Sequence, residues 1–161
     1  MTPRFSHALA LLGVLPGTAI AQQMSFDIET TAYCVASDRG EECIGLAANQ
    51  CMEQSEGGYS TNGMSVCTDR ELEWWDDRLN LIYKDIKARL QRFDDEKPDY
   101  APSQVEALKD MQRTWIPFRD AKCEFVAAGW GGGTGAGPAT LWCLMDETAR
   151  QTLYLEQQFQ E

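Results

Sequence analysis

Between Cys123 and Cys143 the chain reads CEFVAAGWGGGTGAGPATLWC, with Gly129, Gly131, Gly132, Gly133, Gly135 and Gly137 inside nine positions. Glycines this dense could let backbone amides cradle a phosphate, so nucleotide chemistry is the first to weigh. A Walker loop ends in Gly-Lys-Ser/Thr, and no lysine ends this run. Gly131, Gly133 and Ala136 fit the looser G-x-G-x-x-A, but that motif needs a strand leading in and a helix leading straight out. A helical pattern leads in here, and Gly137-Pro138 interrupts the exit. The expectation is therefore a flexible turn between two helices, tied at its base by Cys123 and Cys143. Within it Trp130, Gly131, Gly132 and Gly133 form a candidate partner-binding loop, unless Trp130 packs back on the helices.

Carboxylates cluster as three doublets, Glu41-Glu42, Asp76-Asp77 and Asp146-Glu147, and one triplet, Asp94-Asp95-Glu96. A glycosidase needs two carboxylates facing each other across a cleft, and neighbouring helical positions point apart. These read as solvated helix faces. No D-x-[DN]-x-[DN]-G run offers calcium an alternating set of oxygens. The sole histidine, His7, lies in the segment expected to be removed, so Ser-His and Cys-His mechanisms and histidine metal sites have no candidate. No catalytic residue, metal or cofactor is expected.

Six cysteines remain: Cys34, Cys43, Cys51, Cys67, Cys123 and Cys143. None forms a CxxC pair, and an even count in an exported protein reads as disulfides. Six cysteines allow fifteen pairings. Local closure favours Cys123 with Cys143 and Cys51 with Cys67, leaving Cys34 for Cys43. Loops of this size each stabilise by roughly 3 kcal/mol.

The elements that must position these groups are helices. Thr68 and Glu71 in TDRE suggest a capping box. Leu72, Trp75, Leu79, Ile82, Ile86, Leu90 and Phe93 then recur at steps of three or four as one apolar stripe. DDEKPDYAP stops that helix. Ser103 and Glu106 open a second, with Leu108, Met111, Trp115, Phe118 and Phe125 as its stripe and Pro117 expected to bend it. A third runs from Leu141 to about Phe159, with Trp142, Met145, Ala149 and Leu153 on one face. GEECIGLAANQCMEQ reads as a shorter helix and SEGGYSTNGMS as a loop. The fold class is all-α: a bent antiparallel hairpin, a third helix and a short N-terminal helix in a small bundle with disulfide-tied loops.

At the N-terminus Arg4, the apolar ALALLGVL and the small residues Ala19 and Ala21 predict a signal peptide over 1–21, cleaved before Gln22. A short buried helix is the competing reading. No cysteine follows the cut, so no lipid anchor is indicated, and residues 22–161 form one exported periplasmic or secreted domain. Of 161 residues 140 remain, and loss of Arg4 moves the net charge from −11 to −12. Such acidity argues against nucleic-acid binding and favours a basic partner, with charge kept for solubility as the competing reading.

Asp77, Asn80, Tyr83, Gln112, Arg113, Arg119, Asp120 and Arg150 stand beside the apolar stripes. They are expected to link the helices as a buried or half-buried network, with Arg119 able to engage a carboxylate through two hydrogen bonds; a recognition patch is the functional alternative. The same residues resemble the lysozyme inhibitor LprI-like family, in its N-terminal domain. That pattern is Asp-x-x-Leu-Asn-x-x-Tyr, then Gln-Arg-x-Trp-x-x-Phe-Arg-Asp-x-x-Cys, then a Gly-Gly loop, a second cysteine and a Thr/Arg/Leu helix. It falls on Asp77 (Asp76 in strict register), Leu79, Asn80, Tyr83, Gln112, Arg113, Trp115, Phe118, Arg119, Asp120, Cys123, Gly131, Gly132, Cys143, Thr148 and Arg150, within residues 51–156. The resemblance implies a small exported, non-enzymatic helical domain of which one member class blocks lysozyme. The inhibitor that names the family is a lipoprotein, whereas this chain lacks a lipidation cysteine, and Cys34 and Cys43 lie outside the pattern. The functional expectation is a cationic lysozyme or other basic envelope protein as partner. The alternative is an envelope interaction or stress module with no action on lysozyme.

Overall fold

The computed structural model describes residues 24–158, so the predicted signal peptide and Phe159 lie outside the described residues. The chain is all-helical there: α1 (Glu29–Ala36), a 3-10 turn (Gly40–Cys43), α2 (Leu46–Gln54), α3 (Thr61–Glu96), α4 (Gln104–Ala128) and α5 (Ala136–Gln158). Thirty-six residues make α3 about 54 Å long, and everything else packs along it. Its N-terminal third meets Met24, Cys51 and Met52 through Cys67. Its middle buries Trp75 against Ala48, Met145, Ala149 and Leu153. Its C-terminal half places Leu79, Ile86 and Leu90 against Val105, Leu108 and Leu155. The bundle thus has three cores in series, with α5 sharing two of them, α1 and α2 covering one end and α4 the other.

The predicted stripes are buried only in part. Trp75, Leu79, Ile86, Leu90, Leu108, Met145, Ala149 and Leu153 are core, whereas Phe93, Phe118 and Phe125 are exposed. On α4 the inward line runs from Trp115 to Arg119 and Cys123, and Arg119 takes the place that Phe118 was expected to fill. Its guanidinium lies 5.0 Å from the Trp115 ring centroid, and Nη1 donates to Thr148 Oγ1 at 3.4 Å. The assigned helix runs through Pro117 without a break.

Helix α3 begins seven residues before the predicted cap. Ser60 is its N-cap, its Oγ accepting from Gly63 N at 3.0 Å. GEECIGLAANQCMEQ is not one helix, because Gly45 at φ +83° separates the 3-10 turn from α2. A side chain at Gly45 would put Cβ 2.8 Å from Trp142 Cη2, so both its φ and its neighbour demand glycine. Three disulfides staple the frame: Cys34–Cys43, Cys51–Cys67 and Cys123–Cys143. They are the pairings that local closure favours. No helix among the described residues is long and apolar enough to cross a membrane.

Candidate functional site

Glu71, read from sequence as half of a capping box for its own helix, has a different task. It is fully buried in the middle of α3 and serves the start of α2. Oε1 accepts from Gly45 N at 2.9 Å, Thr31 Oγ1 at 3.2 Å and Trp75 Nε1 at 3.1 Å, and Oε2 accepts from Ala48 N at 2.7 Å. Thr31 Oγ1 in turn accepts from Ala47 N at 3.0 Å. Helix α2 has no side-chain cap from its own N-cap, Gly45. Its orphan amides are satisfied by an anion from another helix, which also suits the positive end of the α2 dipole. The sequence signal was ambiguous, because an acid three residues after a threonine reads equally well as a local cap.

The predicted network divides into local groups. Arg119 donates from Nε at 2.9 Å and Nη2 at 2.8 Å to one oxygen, Oδ1 of Asp120, its neighbour on the same helix, so this pair does not join two helices. Gln112 Oε1 accepts from Gln151 Nε2 at 3.1 Å, linking α4 to α5. Tyr83 and Trp115 are half-buried against the same core. Asn80 donates to its own helix neighbour Asp76 at 3.0 Å, Arg113 pairs only loosely with Asp110 at 3.5 Å, and Asp77 is exposed. Arg150 holds Asp146 at 2.8 Å and crosses to Glu41 on the 3-10 turn. These two acceptors, Asp146 foremost, raise its already high pKa further.

The glycine loop is a turn on the surface. Gly131 and Gly132 take φ of +56° and +83°, conformations glycine adopts without strain. Trp130 is 53% exposed and also packs back: a Cβ on Gly135 would lie 2.2 Å from its ring. The indole thus rests on the loop's own backbone.

The charge is distributed unevenly, a pattern that total composition hides. Residues 24–77 carry twelve acids and two arginines, a net −10, whereas residues 78–158 carry twelve acids and eleven bases, a net −1. Apart from buried Glu71 and half-buried Asp76, the acids of the first group are exposed. Helix α4 as a whole has four acids and four bases and so carries no net charge.

Residues 51–155 match the family described as Lysozyme inhibitor LprI. The chain belongs to the LprI family. The matched span takes in the last turn of α2, all of α3 and α4 and nearly all of α5, including Glu71, Arg119 and the glycine loop, and leaves α1 and the Cys34–Cys43 disulfide outside. An uncharacterized protein of Rhizobium meliloti (strain 1021) is 33% identical over 98 residues, covering 58% of this chain and 70% of the relative. No solved structure matches.

Proposed function

We propose that this chain is an exported, non-enzymatic binding protein that holds a lysozyme-type cell-wall hydrolase in a stable complex and keeps it from its substrate. The observation that carries the reading is the LprI match over residues 51–155. Three disulfides suit an oxidising compartment, where such hydrolases act. A surface with net −10 in its N-terminal part suits a basic target, which it would draw in by long-range attraction and then hold by contact. Inhibition of this kind needs no bond making in the inhibitor. Its requirements are a rigid shape, supplied by stapled helices, and a complementary surface.

The test is lysis of a cell-wall suspension by a c-type lysozyme in the presence of disulfide-intact residues 22–161. The lysis rate is expected to fall in proportion to the inhibitor-to-enzyme ratio, and more steeply at low salt than at moderate salt. Unchanged lysis at micromolar excess removes this function for the lysozymes tried and leaves the envelope-module alternative.

A further inference from the structure

The layer formed by α1, the 3-10 turn and α2 does not seal against α3 and α5 along its whole length. Beside the end of α1 a cleft of about 210 Å³ opens, lined by residues of α1 and its following turn, of α3 and of α5, and by none of α4. Its floor includes Ile82, Ile86 and Leu153, and Asp38 and Asp85 stand on its rim from two different elements. Arg78 also lines it, but Nη2 is bonded to Glu156 at 2.5 Å and the guanidinium lies over the Trp74 ring, so that pair brings no net charge.

We propose that this cleft is the docking site for a lysine- or arginine-bearing segment of a basic protein. The assignment deepens the function proposed above and rests on it for the partner's identity. A long basic side chain is apolar along its stem and cationic at its tip, which matches an aliphatic floor with carboxylates at the edge. The cleft also borders the part of the chain that carries net −10, so the field that attracts a cationic partner delivers it there. Arg89 lines the same cleft. The rival surface is the shallow groove of Met111, Trp115, Phe118 and Tyr154, which is aromatic but lies along the charge-balanced helix α4. Asp38 lies N-terminal to the family match, so this edge of the site belongs to the added N-terminal segment.

The experiment is an NMR titration of the disulfide-intact protein with two separate probes, a c-type lysozyme and a triarginine amide. Both probes are expected to shift amides around Val35, Ile82 and Leu153. The double variant Asp38→Asn/Asp85→Asn is expected to weaken both by roughly tenfold while keeping the melting temperature. Asp38 sits at φ +53°, a conformation asparagine accepts readily, so the variant preserves the fold. The comparison variant Phe118→Ser/Phe125→Ser is expected to bind as the parent does. Shifts confined to the glycine loop or the α4 groove, or no shifts with either probe, overturn the assignment. Shifts at the cleft with triarginine alongside unslowed lysis support the site and overturn the lysozyme reading.

Discussion

Four hydrogen bonds converge on Glu71, three from two other segments of chain and one from Trp75 on its own helix, and its burial makes each one consequential. Replacing it with glutamine keeps the shape but aims an NH₂ group at amides that also donate. Glu71→Gln is expected to lower stability by about 3 kcal/mol, since charge-assisted bonds are lost and a buried donor is left unmet. Urea denaturation followed by circular dichroism reads this directly, and a change below about 1 kcal/mol would show that the carboxylate charge is not needed there. Gly135 makes the opposite kind of point, because the absence of a side chain is what seats Trp130. Gly135→Ala is expected to free the indole, moving one of the five tryptophan Nε1–H resonances toward solvent-exposed values with the melting point little changed. An unmoved spectrum would mean that the ring is held by something other than that backbone contact. Neither role could be read from local sequence. Both depend on which distant segment lies opposite.

At the scale of elements, the joint between α3 and α4 shows how a predicted cap is completed from elsewhere. Ser103 does cap α4, accepting from Glu106 N at 3.1 Å, but the Glu106 carboxylate turns to Lys109 at 2.6 Å instead of closing the box. Asp94, in the last turn of α3, takes over: it accepts from Ser103 Oγ at 2.6 Å, Val105 N at 3.0 Å and Gln104 N at 2.9 Å. These bonds, the serine first, hold its pKa below the ordinary 3.8. A carboxyl depressed on folding stabilises the fold above its ordinary pKa, and that contribution fades as pH falls through the folded value. Asp94→Asn is therefore expected to melt below the parent at pH 6, with the gap closing as pH drops below about 3.8. A gap independent of pH would assign the effect to shape instead of charge. The long helices and the disulfides were legible because periodicity and loop closure are local properties. The start of α3 was not, because Gly58 and Gly63 read as loop formers. They are present for close approach: a Cβ on Gly58 would lie 2.1 Å from Met52 O, and one on Gly63 2.3 Å from Gly57 O. Helix α1, only eight residues with a weak apolar face, gave no periodic signal at all.

Over the whole molecule, position of charge matters apart from its amount. Two triple variants separate these causes because each removes three negative charges. Glu53→Gln/Glu56→Gln/Glu73→Gln takes them from the part of the chain with net −10. Asp95→Asn/Glu96→Gln/Asp99→Asn takes them from the part with net −1. All six acids are exposed, so neither triple disturbs a core. If a basic hydrolase is steered toward the acidic end, the first triple slows association by roughly tenfold at low ionic strength. The second leaves the on-rate within about twofold, since the acids of residues 24–77 that supply most of the attractive field are untouched. Dissociation should change little in either case, because these side chains lie outside the cleft. Stopped-flow association with lysozyme at two salt concentrations makes the comparison. Equal slowing by both triples would show that net charge alone governs encounter, and the acidic end would then lose its role as the leading face.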